Sequence, residues 1–163
     1  MSHPWCALWC SVTIFACGAP PPEGPAIVYS PCALVHLAPG PDTTDAERQS
    51  IVDAIALWRQ VGVTALLLDE ASDAHEGAVP VRFKEASPLF HGVYEPSSGM
   101  VSINRGLSGT DRQVTVAHEL GHALGLPHVD RGARSSVMNP SNLTVLPTLE
   151  DEGELQQRWG CPL

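Results

Sequence analysis

The sequence predicts an α+β domain, on three observations. Short apolar segments of strand character precede and separate the helical stretches, without the regular alternation of a βαβ array. Residues 45–60 carry apolar side chains at helical spacing. A last stretch from Leu149 opens on a threonine and an acidic first turn, the signature of a helix N-terminus.

The elements follow in order. From Ala26 the chain is apolar and strand-like through Leu37, and Pro39-Gly40-Pro41 breaks it. Thr44-Asp45-Ala46-Glu47 then has capping-box spacing. Ile51, Ile55 and Trp58 fall at i, i+4 and i+7, one face of a helix ending near Gly62, with Trp58 as a core anchor. VTALLL (63–68) reads as a short buried strand. The polar loop DEASDAHEGA follows, with Asp69, Glu70, Asp73 and Glu76. Those oxygens suffice for Ca2+ in principle, but no calcium-loop spacing supports one, so a plain surface loop is expected. VPVRF (79–83) is another strand, and GVYE and MVSIN flank PSSG as a hairpin. After Ser108-Gly109-Thr110 a helix is expected from about Asp111 to Leu124. The final helix runs from about Leu149 to Trp159, capped by Thr148. Glu150, Asp151 and Glu152 in its first turn complement the helix dipole.

The chain's 163 residues suit one catalytic or binding domain, here 26–163, behind an export segment. Residues 7–16, ALWCSVTIFA, have the length of a signal h-region and are too short to span a bilayer. IFAC ends the segment as a lipobox-like site. Residues 1–17 are therefore expected to be a signal peptide, with Cys17 as the lipid attachment point of an envelope lipoprotein. Cleavage after Gly18, giving a freely secreted protein, is the alternative. GAPPPEGP (18–25) reads as a stiff Pro/Gly tether. Membrane association is expected only through that lipid, and the domain itself is expected to be a monomer.

Charge excludes one class of partner. The chain has 18 acidic and 9 basic residues, a formal charge of -9, with its arginines scattered and Lys84 as its sole lysine. No basic stripe suits nucleic acid. Export also bears on the cysteines, since Cys32 and Cys161 remain near the two ends of the domain. In an oxidising compartment their simplest state is a disulfide. A loop of that length would favour the folded state by up to ~4–5 kcal/mol on the chain-entropy model. Cys32 as a thiolate on a metal is the alternative; with so little chain before it, the disulfide is preferred.

HELGHALGLPH, residues 118–128, carries the chemistry. His118 and His122 are four apart in the expected helix, so both rings leave one face toward a common point. Gly125 stands where a left-handed C′ glycine ends a helix, and Pro127 disfavours its continuation. The chain turns there and can bring His128 back beneath the first two. Three neutral imidazoles with a fourth position open to water describe a catalytic rather than a structural Zn2+. Glu119, beside the first ligand, can reach the same region as general base and acid without being a ligand.

HELGHALGLPH matches the HExxHxxGxxH signature of the metzincin zinc endopeptidases at every fixed position, and SSVMNP places Met138 ten residues on, where it resembles the family's Met-turn. VAHELGHALGLPH and TLEDEGELQQRWG look most like the matrixin branch. The resemblance implies a small twisted, mostly parallel sheet with an antiparallel edge strand, an active-site helix, a Met-turn and a C-terminal helix. It also implies one catalytic Zn2+ on His118, His122 and His128, Met138 as the floor of the site, and protein or peptide substrates. In the family the substrate lies extended along an edge strand, for which Gly92, Val93 and Tyr94 are the candidates. Pro140-Ser141-Asn142 stands where matrixins usually have Pro-x-Tyr. His36, His75 and His91 are not assigned as ligands. The expected function is zinc-dependent endopeptidase. Alternatives are a zinc peptidase or amidase of narrow substrate range and a zinc-containing peptide-binding module that does not cut.

Overall fold

The computed structural model describes residues 26–69 and 77–163. The expected signal segment with Cys17, the tether 18–25, and Glu70, Asp73, His75 and Glu76 lie outside the described residues. The elements in chain order are β1 (Val35–Pro39), α1 (Asp45–Gln60), β2 (Leu66–Leu68), β3 (Val79–Lys84), β4 (Gly92–Glu95), β5 (Met100–Asn104), α2 (Gly109–Ala123) and α3 (Leu149–Trp159).

The strands form one sheet in the order β2-β1-β3-β5-β4. The first four run parallel, with Val35 opposite Leu66, Leu37 opposite Val79 and Val81 opposite Val101. β4 runs antiparallel on β5 and forms the sheet's edge. The hairpin closes through Pro96–Gly99. Gly99 there has φ +68°, where a side chain would be strained, and its N–H donates to Glu95 O at 2.8 Å. A mostly parallel sheet with one antiparallel edge strand is the expected α+β architecture.

Local sequence explains the helices. Thr44 and Glu47 form both bonds of the capping box that opens α1. Glu47 is almost fully buried and also accepts Arg105 Nε at 2.7 Å, which pins the start of α1 to the end of β5. Burial alone would raise its carboxyl pKa, but the bonds from Thr44 and Arg105 outweigh that and leave it lowered. Ile51, Ile55 and Trp58 enter a core shared with Leu37, Val81, Ile103 and Leu120. Trp58 is fully buried, and its indole N–H donates to Ala117 O at 3.0 Å. That bond satisfies the ring's polar edge and couples α1 to α2.

The strand expected over 26–37 is shorter and later than its apolar pattern suggests. Only Val35–Pro39 joins the sheet. Residues 26–30 take backbone partners from elsewhere: Ile27 N donates to Pro96 O at 2.7 Å and Tyr29 N to Ala123 O at 2.8 Å. A turn at Pro31–Ala33 separates them from β1. In the same way VTALLL contributes only Leu66–Leu68, because Val63 N is engaged by Trp58 O at the end of α1.

Cys32 and Cys161 are joined by a disulfide across 129 residues of sequence. The bridge ties the segment before β1 to the end of α3. Trp159 Nε1 donates to Leu124 O at 2.9 Å, so the segment before β1 and the end of α3 both grip the C-terminal end of α2. No helix among the described residues is long and apolar enough to cross a membrane.

Candidate metal centre and cleft

α2 carries His118, Glu119 and His122 and ends as the motif requires. Gly125 has φ +97°; its N–H donates to His122 O, and Leu126 N–H donates to Gly121 O, both at 2.9 Å. This pair of bonds closes the helix C-terminus and turns the chain back. His128 then lies beside its two predecessors. Its Nε2 is 3.3 Å from His118 Nε2 and 3.1 Å from His122 Nε2. Among the described residues these three form the one cluster of candidate metal ligands, and their ligand atoms all lie within 4.8 Å of one another.

The three imidazoles fit a metal ion. His118 Nδ1 donates to Val137 O at 2.6 Å and His122 Nδ1 to Leu126 O at 2.8 Å, since a carbonyl can only accept. Each ring therefore presents the Nε2 lone pair to the common point. Lone pairs so close repel unless a cation lies among them, and tetrahedral zinc with N at ~2.0–2.1 Å needs nitrogens about 3.3 Å apart. Burial lowers the His118 pKa to about 4, with the neighbouring histidines adding to the effect, and burial lowers that of His122 too. Both shifts favour the neutral ring that ligation requires. His36 instead faces Asp69, with Nδ1 2.7 Å from Oδ1, and His91 lines the cleft without joining the cluster.

Glu119 is buried beside the cluster, and burial raises its pKa to about 8, the Tyr94 backbone amide acting weakly in the other direction. A cation on the three histidines would draw it back down. Space for its side chain comes from Gly92: a Cβ there would lie 2.9 Å from Glu119 Oε1 and 2.8 Å from Thr115 Cγ2. This role of Gly92 is not legible in the sequence, where the residue is only part of a strand.

Beneath the cluster, Ser136–Asn139 form a tight turn in which Asn139 N donates to Ser136 O at 3.1 Å and Ser136 Oγ accepts Met138 N at 2.9 Å. Met138 is fully buried, its sulfur against Gly121 where any side chain would collide. Val129 N donates to Met138 O at 3.0 Å, so the turn also holds the segment that bears His128. Asp151 anchors all of this from α3. The sequence offers it only as a helix-dipole charge, yet it is fully buried. It accepts Ser136 Oγ at 2.5 Å, Arg134 Nη1 at 2.6 Å, Val137 N at 3.2 Å and Thr148 N at 3.0 Å. Only those long-range contacts reveal it.

A cleft of about 680 Å³ opens over the histidines. β4 forms one wall, through Gly92, Val93 and Tyr94; Pro140, Ser141 and Asn142 stand on its rim. Asn142 is fixed there by bonds to Val137 O at 3.1 Å and Val145 O at 2.7 Å. With this geometry in hand, the comparison with solved structures is decisive for the fold. High choriolytic enzyme 1, a hatching-enzyme zinc protease from the medaka fish Oryzias latipes, superposes with a TM-score of 0.53 at 14% identity, over 83% of this chain and 95% of that one. The chain shares the fold of that zinc protease. Myroilysin aligns over 63% of this chain and 52% of its own at 17% identity, with a TM-score of 0.47, too low to argue from. No family model and no curated protein sequence matches the chain. Within the metzincin-like fold, the histidine cluster and the edge strand line the same cleft, and the buried Met138 turn supports the cluster through the bond between Val137 O and His118.

Proposed function

We propose that the protein is a zinc-dependent endopeptidase of matrixin-like type, acting on extended segments of protein chains outside the cell. The observation that carries this reading is the convergence of three histidines with a buried carboxylate in a cleft walled by an edge strand. His118, His122 and His128 would hold the zinc, with Met138 beneath them. Zinc bound there supplies Lewis acidity, lowering the pKa of water and polarising a carbonyl oxygen.

The chain's own residues do the rest. β4 presents its free edge to a peptide, whose main chain can pair with it as an added strand. Such pairing engages any sequence, which suits an endopeptidase of broad range. Glu119, held in place by the room Gly92 leaves and by Thr115, takes a proton from the attacking water and passes it to the departing amine. Burial excludes bulk water from the carboxylate, so the proton stays within the site. The disulfide and the expected leader suit an exported enzyme, with a lipid on Cys17 as its anchor.

The test uses oxidised, zinc-loaded 26–163 and a permanently unfolded protein substrate. Internal cleavage, read as new N-termini by mass spectrometry, is the expected result. One zinc per chain with no cleavage of the unfolded protein would overturn the endopeptidase reading and favour a narrower substrate or a binding role.

A further inference from the structure

One charged side chain in the cleft has no part in the proposed hydrolysis. Arg158, in the last turn of α3, lines the cleft with Val28, Pro96 and Gly125. It lies against the backbone of Gly125, where its Nε would be 2.6 Å from a Cβ. Gly125 thus serves twice: it ends α2 with its positive φ, and it leaves room for the arginine.

Arg158 differs from the other cations of the chain. Arg48, Arg59, Arg82, Arg112 and Arg131 donate to main-chain carbonyls. Arg105 and Arg134 pair with carboxylates, and the Lys84 ammonium sits 4.9 Å from the centre of the Phe90 ring. Among the described residues, Arg158 is the one Arg or Lys whose side chain has no hydrogen bond, ion pair or cation–π contact, and it is exposed. Ordering a long cation at a cleft wall without a partner has no evident structural return, whereas a guanidinium offers paired N–H donors that match a carboxylate.

Its position along the cleft is defined. β4 lies beside α2, with Gly92 against Thr115 and Glu119. Past its end, Pro96 O takes Ile27 N, and Tyr29 N reaches Ala123 O at the end of α2. Leu89 and Phe90 therefore stand toward one end of the cleft, and Val28, Pro96 and Arg158 toward the other, with the histidines between. A peptide along β4 would pass Glu119 and the histidines before bringing a side chain to Arg158. The other walls near that end (Ala26, Val28, Pro96, Leu126 and Pro127) offer no competing charge.

We propose that Arg158 is a specificity-determining residue: it selects an Asp or Glu side chain of the bound peptide, on the side of the scissile bond that faces Val28 and Pro96. This rests on the peptidase reading above. The protein's charge of -9 repels acidic peptides at long range, so the preference is a local one.

The experiment scans Asp against Asn through each position flanking the cleaved bond of one neutral peptide, using wild type, Arg158→Ala and Arg158→Glu. Arg158 is exposed at a helix end, so both variants should fold. At one position, wild type should prefer Asp over Asn by about three- to tenfold in kcat/KM, the range for a partly solvated charge pair in a binding site. Arg158→Ala should bring that ratio close to one, and Arg158→Glu should invert it in favour of Asn. Cleavage of the neutral parent with the same Asp/Asn ratio in all three enzymes would overturn the proposal while leaving the peptidase reading intact. Should the parent not be cut at all, fluorescence anisotropy of the same peptides on Glu119→Gln, with and without Arg158→Ala, decides the matter. An Asp preference lost with Arg158 supports the selection, and one indifferent to Arg158 overturns it.

Discussion

Glu119→Gln should lower kcat on an unfolded protein substrate by about 10²–10⁴-fold, the contribution of a positioned general base, while zinc content stays at the wild-type level. Glutamine has the shape of glutamate, so the packing against Gly92 and Thr115 persists and only proton transfer is lost. Glu119 is no part of the three-histidine cluster, which is why metal should be retained. Steady-state kinetics on both proteins, with zinc measured in the same samples, checks this. Turnover within about tenfold of wild type would place the base elsewhere.

Asp151→Ala should cost about 3–5 kcal/mol of stability, because it strips a buried charge from its partners and leaves them unsatisfied. The Ser136 hydroxyl and the main-chain N–H groups of Val137 and Thr148 would lose their acceptor, and Arg134 would keep only Glu154. Urea unfolding of the oxidised protein measures it. A second consequence follows through the Met138 turn. Val137 O orients His118, so loosening Ser136–Val137 should weaken zinc binding by about 10–100-fold, as loss of outer-shell support commonly does. A stability change below about 1 kcal/mol would mean that the network is solvated rather than structural.

The same carboxylate gives a pH dependence whose sign is fixed. Burial, the largest single influence on Asp151, would raise its pKa, but the bonds from Ser136, Arg134 and Thr148 together exceed it and hold the pKa below the ordinary value. A lowered folded-state pKa stabilises the fold above the unfolded value of about 3.9, and that stabilisation fades as pH falls through the folded value. Wild type should therefore lose stability below about pH 4 more steeply than Asp151→Ala. Glu47, likewise lowered, leaves some acid dependence in the variant.

What the sequence makes legible is what is local to it. The Thr44–Glu47 capping box, the helical face of Ile51, Ile55 and Trp58, the Pro96–Gly99 hairpin and the His118–His128 motif each lie within a dozen or so residues. Their geometry follows from spacing alone. The apolar pattern over 26–37 misleads because Ile27 and Tyr29 find partners at Pro96 and Ala123, far along the chain. Asp151 is hidden for the same reason: an acid in a first helical turn reads as a dipole partner until Ser136 and Arg134 are brought against it. Gly92 and Gly121 carry no signal of their own, since what each leaves room for, Glu119 and Met138, belongs to another element.

The most direct measurement is zinc content and proteolysis followed together on one sample of oxidised wild type: as prepared, after dialysis against a chelator, and after zinc is restored. One zinc per chain, cleavage that disappears with the metal and cleavage that returns with it are the predicted results. Undiminished cleavage by metal-free protein, or a stable one-to-one zinc complex that never cleaves, would contradict the catalytic role assigned to His118, His122 and His128.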